Sequence, residues 1–181
     1  DEIWEIIAAW TRQRTKYEAM EVLAGAGVPA GAVLDSILLH TRRSQRLPRR
    51  LWPIVEAQAK CAIAVWREPD QGIWEARGKP QHYVSSKLMC WVAMDRAAKL
   101  AGIRGMPELE SEWRKTAEEI RADILAHGVS ERGVLRQHYE TDALDASALL
   151  AAIFGFLPVD DPRLRATVMA VADELTEDGL V

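Results

Sequence analysis

Apolar residues return every three or four positions along almost the whole of this chain, and that spacing fits one kind of element. In residues 107–126, Leu109, Trp113, Ala117, Ile120 and Ile124 form one stripe, the mark of an amphipathic helix. Pro107 with Glu108 and Glu110 suits its start, and Gly128 suits its C-cap. Residues 51–66 repeat the pattern, with Pro53 in the first turn and Val55, Ala59, Ala62, Ile63 and Trp66 on the stripe, until Asp70-Gln71-Gly72 interrupts it. Residues 85–100 predict a further helix with Leu88, Trp91, Val92 and Ala98 on its apolar side. Helices are also expected over 2–24, 143–154 and 161–175, the last opened by Asp161 as N-cap and Pro162 at its first position. No segment alternates apolar and polar residues for long enough to read as a strand, so the expected fold class is all-α.

A repeat organises these helices. Helix 51–66 is followed by Asp70-Gln71-Gly72-Ile73-Trp74, helix 107–126 by Glu131-Arg132-Gly133-Val134-Leu135, and helix 161–175 by Glu177-Asp178-Gly179-Leu180-Val181. Each is a polar pair, a glycine and two apolar residues. The first two lead through a polar loop holding His82-Tyr83 or His138-Tyr139 into another helix. Helix, long loop, helix units of this kind gather their loops at one end of a stack, where short repeats build a binding face.

Composition excludes several classes. Lys and Arg number 23 against 27 Asp and Glu, a net charge of −4, which argues against a nucleic-acid-coating protein. Residues 41–50 carry five arginines but no interleaved aromatic to stack bases, so the run reads as a solvated connector rather than a nucleic-acid site. No apolar run approaches the roughly 18 residues of a membrane span, and no leader-like segment opens the chain. Cys61 and Cys90 make no disulfide framework or zinc spacing. A reduced, cytoplasmic protein without metal or cofactor is expected. Seven tryptophans stand against two phenylalanines and three tyrosines, as a sugar cleft or a large helical core would require.

The segment Ile73-Trp74-Glu75-Ala76-Arg77 is the richest in chemistry. An apolar neighbour disfavours the charged form of a carboxyl group and keeps a proton available near neutral pH, so a glutamate directly after a tryptophan is a candidate general acid. Arg77 opposes this if it faces Glu75 and holds sugar hydroxyls if it faces the cleft. His82 and His138 could line a sugar cleft, or stand ahead of their helices with satisfied hydrogen bonds. Met89 and Cys90, beside Trp91, read as core.

Two stretches carry a resemblance. Arg50-Leu51-Trp52-Pro53 through Trp66-Arg67-Glu68-Pro69-Asp70-Gln71-Gly72-Ile73-Trp74-Glu75, and then His82 through Ala97, are similar to the bacterial branch of the glucoamylase and trehalase glycoside hydrolases, family 15. Gln137-His138-Tyr139, Leu144-Asp145-Ala146-Ser147 and Ala172 through Val181 continue the likeness in order, over residues 46–181. The resemblance implies an (α/α)6 toroid that cleaves α-glucosidic bonds with inversion. In such enzymes one carboxylic acid protonates the leaving oxygen and a second carboxylate, roughly 6.5–9.5 Å away, activates water. It assigns the acid to Glu75, the sugar site to Trp74 and substrate binding to Arg77, with trehalose or a malto-oligosaccharide as partner. The fungal branch has a second carboxylate after the acid; Ala76 stands there in this chain.

The family's general base lies in a glutamate-containing segment ahead of a Gly-Asn-Phe-Pro-Gln motif, which these residues lack. Asp142 and Asp145 are the nearby carboxylates that could substitute, and Asp145 reads better as a helix N-terminal residue. At the spacing of the repeat, six hairpins take on the order of 320 residues. About half of a toroid is therefore expected, catalytically incomplete, with an open edge through which copies could associate. The alternative is a non-enzymatic helical-repeat module that binds a protein.

The first 35 residues do not fit that family. Ala9 through Met20 and Ala26-Gly27-Val28-Pro29-Ala30-Gly31 through Asp35 resemble a late segment of class III CoA-transferases of the formyl-CoA transferase type, whose catalytic aspartate lies upstream of it. The plain reading is an amphipathic helix, a turn and a connector. Three parts are thus expected: a CoA-transferase-like helical segment over 1–35, an arginine-rich junction over 36–45 and the partial toroid over 46–181.

Overall fold

The computed structural model describes residues 47–177 and, ahead of them, Ala9, Arg12, Gln13, Ile37, Leu38 and Thr41. The N-terminal helix expected over 2–24 and the loop at Gly179 therefore lie outside the described residues, apart from those named. The described elements are helical: α1 (Trp52–Val65) after a 3-10 turn at Arg49–Leu51, α2 (Val84–Ile103), α3 (Pro107–His127), a 3-10 turn at Ala146–Leu149 running into α4 (Leu150–Ile153), and α5 (Pro162–Glu174). Strand-like pairing among the described residues is confined to isolated bridges in the loops.

The three longest helices divide into inner and outer members by burial. On α3 only Trp113, Ala117, Ile120 and Ile124 are buried, which is the expected stripe; Leu109 packs half-buried at its start. The helix α2 differs from the one-sided expectation. Its buried residues run around the whole cylinder and include Ser85, Lys87, Ala93, Met94, Arg96 and Ala97 as well as Leu88 and Trp91. A helix enclosed on nearly all sides needs no polar face, so its sequence shows only a weak stripe. Both α1 and α3 pack along α2. Trp52 of α1 stacks on Trp113 of α3 at 5.8 Å, with the Arg104 guanidinium 4.6 Å over the Trp52 ring. Trp66 and Trp91 are buried too, so four tryptophans serve the core.

The helix expected over 143–154 is shorter and starts later. Asp145 is extended, with φ −143° and ψ 126°, and caps the 3-10 turn through Ser147 N–H at 2.8 Å. Gly155, with φ +67°, ends α4 after one turn. Arg96 donates to the Phe154 carbonyl at 2.8 Å, and Arg121 donates to that of Phe156, so α2 and α3 both satisfy the end of α4. Helix α5 opens as its sequence predicts, Asp161 accepting from Arg163 N–H with Pro162 following. Ile37, Leu38 and Thr41, from the stretch read as a junction, are buried, and the first two join the core. No helix of the described residues is long and apolar enough to cross a membrane.

The repeat glycines Gly72 and Gly133 share a left-handed backbone, with φ +69° and +73°. At Gly72 a Cβ would also lie 2.8 Å from the Tyr83 ring, so both conformation and space demand glycine there. Gly72→Ala is expected to cost roughly 2–4 kcal/mol from strain plus overpacking. Gly155→Ala, equally left-handed but open, should cost only about 1–2 kcal/mol. Urea denaturation midpoints of the two variants check the difference.

Candidate functional site

Where α1 ends, its last carbonyls need partners. Lys87, in the first turn of α2 and 2% exposed, supplies them by donating from Nζ to the carbonyl oxygens of Trp66 and, at 2.9 Å, Glu68. The chain then enters a loop closed at its neck by the pair Asp70 and Gln81, whose N–H groups and carbonyls exchange hydrogen bonds at 2.9 and 2.8 Å. The Asp70 carboxylate accepts from Gly72 N–H at 2.6 Å and from Ser86 Oγ at 2.9 Å, so the turn is tied to α2 a second time. Ala76 N–H donates to Gln71 O at 2.8 Å, and Glu75 N–H to Gly72 O at 3.2 Å.

These bonds set Glu75 at φ +49°, the one non-glycine residue with positive φ among the described residues. A β-carbon makes that conformation costly, and such strain concentrates at functional sites. The Glu75 side chain is exposed rather than buried against Trp74, because Trp74 itself stands out, 67% exposed. Arg77 is exposed as well and forms no ion pair with Glu75 among the described residues. The Trp74 indole N–H reaches the carboxylate of Asp145 in the second loop, at 3.1 Å to Oδ1 and 3.2 Å to Oδ2.

The second loop is built like the first. Val129 bridges Leu135 across Gly133. Arg136 donates to the carbonyls of Val129 and Tyr139, both at 3.2 Å, and pairs with exposed Asp142 at 3.1 Å. The Tyr139 hydroxyl donates to Asp123 of α3 at 2.6 Å, and burial with this acceptor pushes its pKa far above the usual phenol value. The two His-Tyr pairs run antiparallel, and each histidine packs on the other's tyrosine. His82 stacks on Tyr139 at 5.6 Å, and His138 meets Tyr83 edge-on at 5.5 Å. Backbone bonds from Val84 N–H to Gln137 O at 2.9 Å and from Tyr139 N–H to His82 O at 3.2 Å join the loops. His138 Nδ1 accepts from Glu140 N–H at 3.3 Å.

The fold thus brings Trp74, Glu75 and Asp145 to one place and the two histidines to the joint between the loops. Lys87 and the tie from Trp74 to Asp145 escape the sequence reading. Lys87 has a legible signal, since it falls on the stripe of Val84, Leu88 and Trp91; the link across 71 residues has none. A cavity of about 790 Å³ lies between α1 and α2, lined by Val65, Met89, Ala93, Leu150 and Phe154 among others. It touches the first loop at Asp70 to Ile73 but none of Trp74, Glu75 or Arg77. Among the described residues no cluster of His, Cys, Asp and Glu could hold a metal ion.

Burial holds the pKa of Lys87 below the ordinary lysine value, opposed by Cys90, Asp123, Asp70 and Glu68. Between the lowered and the ordinary value the unfolded chain binds more protons than the folded one, so stability from this group improves as pH rises through that window. In Lys87→Met that improvement should vanish. Near neutral pH the variant, which orphans two carbonyls, should lose roughly 1–3 kcal/mol. Denaturant titrations of both proteins at several alkaline pH values measure the difference.

Comparison with known proteins places this arrangement. The sequence model for glycosyl hydrolases family 15 matches residues 27–181, and so takes in residues 36–45. A trehalase of Mycolicibacterium smegmatis is 59% identical over 151 residues, 83% of this chain and 23% of the relative. A trehalase of Mycobacterium tuberculosis is 58% identical over 151 residues, 83% of this chain and 22% of the relative. The chain therefore spans less than a quarter of the length of these relatives. A glycosidase solved in complex with glucose superposes with a TM-score of 0.74 at 26% identity, over 82% of this chain and 40% of that one. The alternation of an enclosed helix with one-sided helices is thus part of an (α/α)6 toroid. The chain belongs to glycosyl hydrolases family 15.

Proposed function

We propose that these residues form the general-acid part of an inverting, trehalase-like glycoside hydrolase acting on α-glucosidic bonds. The observation that carries the reading is the strained φ of +49° at Glu75, on a loop tied down on both sides and beside an exposed indole. The high identity to the two trehalases supports trehalose as the first substrate to test, with malto-oligosaccharides next. In this reading Glu75 donates its proton to the glycosidic oxygen as the bond to the anomeric carbon breaks. The face of Trp74 carries a sugar ring, and Arg77, unpaired by Glu75, binds hydroxyl groups. His82 and His138 shape the floor of the site where the loops join.

The water-activating carboxylate has no candidate in this cluster. Asp142 is paired with Arg136, and buried Asp145 is engaged by Ser147 and Trp74. We infer that a segment outside these residues supplies the base and that the 181 residues alone do not turn over substrate. A longer polypeptide carrying the family's base segment behind them is the right setting for Glu75→Gln. Turnover of trehalose and maltose should fall about 10²–10⁴-fold, and unchanged turnover would overturn the assignment. The CoA-transferase-like reading of residues 1–35 stays a proposal, and the family match takes in residues 27–35 of that stretch.

The cavity between α1 and α2 favours self-association as well. Val65 on its rim is 48% exposed and Ile73 51%, and a contiguous apolar surface of this kind draws a partner. Light scattering after size exclusion should show mass rising with concentration. Val65→Lys should restore the monomer; a monomer at all concentrations in the parent chain would sink the idea.

A further inference from the structure

Trp74 is unusual among the tryptophans of the described residues. Trp52, Trp66, Trp91 and Trp113 are all buried, whereas Trp74 is 67% exposed. An exposed indole on a loop has two side-chain torsions free to turn. Here its edge is fixed, because Nε1–H lies between the two carboxylate oxygens of Asp145, at 3.1 and 3.2 Å. Asp145 is itself buried, 6% exposed, and accepts from Ser147 N–H at 2.8 Å.

Capping a 3-10 turn does not require this geometry. One oxygen suffices for a cap, and serine, threonine or asparagine would serve as well as aspartate. The indole uses both oxygens, the capping Oδ1 at 3.1 Å and Oδ2 at 3.2 Å, and a reach beyond that of serine. A hydrogen bond from the edge of an aromatic ring to an ionised acceptor is strong and leaves the faces untouched. The ring plane is thereby set next to Glu75 without covering the surface on which the apolar face of a pyranose would lie.

We infer that Asp145 is a positioning residue: through the Trp74 indole it fixes the plane against which a glucosyl unit stacks beside Glu75. The inference rests on the glycosidase reading above, and the experiment separates the two. The chain is labelled with ¹⁵N at its tryptophan indoles, and the Trp74 resonance is identified by its loss in Trp74→Phe. In the parent chain that resonance should lie downfield, exchange slowly with water and move on titration with glucose. Asp145→Ser keeps a capping oxygen but is too short to reach the indole. It should bring the resonance upfield, speed its exchange at least ten-fold and weaken the glucose response by a similar factor, with the helical circular dichroism unchanged. Asp145→Asn keeps both the cap and an acceptor of the right length, and should restore the parent behaviour.

A Trp74 resonance and exchange rate unaltered in Asp145→Ser would overturn the positioning role whatever glucose does. A parent chain whose Trp74 does not respond to glucose, with the indole still released by Asp145→Ser, would overturn the stacking of a glucosyl unit on Trp74 and leave Asp145 as the anchor of an exposed ring. Loss of helical signal in Asp145→Ser with full rescue by Asp145→Asn is read from the exchange rate of the asparagine variant, where a pure cap predicts no retained slow exchange at Trp74.

Discussion

The direction in which the chain leaves α1 depends on one buried ammonium. Lys87 sits among apolar residues of the enclosed helix and donates hydrogen bonds to the carbonyl oxygens of Trp66 and Glu68. Removing such a charge from water is costly, which is why its pKa is lowered by burial. The carbonyl end of a helix is where a cation recovers most of that cost, through hydrogen bonds and the aligned peptide dipoles. Glu68, Asp70 and Asp123 add favourable charge nearby. A buried ion of this kind is weak evidence for stability but fixes a single geometry, since alternatives leave it unpaired. All that follows in the loop inherits its starting point from that contact.

From there each constraint tightens the next. Asp70 ties the turn to Ser86, Gly72 lets the backbone pass over the Tyr83 ring, and Tyr83 in turn meets His138 of the second loop. The strain at Glu75 can persist because its neighbours on both sides are held, by Gly72 and Gln71 carbonyls behind and by the Asp70 and Gln81 neck ahead. A loop free to relax would discharge a φ of +49° at once. Exposure of the side chains and rigidity of their backbone are therefore compatible here.

How much of this was legible in the sequence follows from the range of the interactions. The stripe of Trp113, Ala117, Ile120 and Ile124 is local and emerged intact, as did the Asp161-Pro162 start. The enclosed character of α2 is not local, because it depends on which neighbours arrive, and its sequence shows only one side. The helix expected from 143 begins late because Asp145 takes an extended cap conformation. In the Gly-Ile-Trp-Glu segment an adjacent tryptophan predicts a buried carboxyl group, but Trp74 does not bury Glu75 and turns its edge to Asp145 instead. The five tryptophans of the described residues divide into four in the core and Trp74, which is exposed on the first loop.

A chain spanning less than a quarter of its relatives can hold this site because the ties are made between neighbouring units. In a stacked helical architecture each unit contacts mainly the next, and stability accumulates from such interfaces. The first loop is bound by α2 and by the second loop, and the second loop by α3 and by the first. These partners lie within residues 52–147, and the second loop is tied to α5 as well, where Leu135 N–H donates to Thr167 Oγ1 at 3.0 Å. The flank of α1 and α2 that lines the cavity is the other side of the same arrangement. A unit organised by its neighbours on one side leaves an apolar face on the other, and the closing of a toroid and the pairing of two copies are alternative ways of covering it.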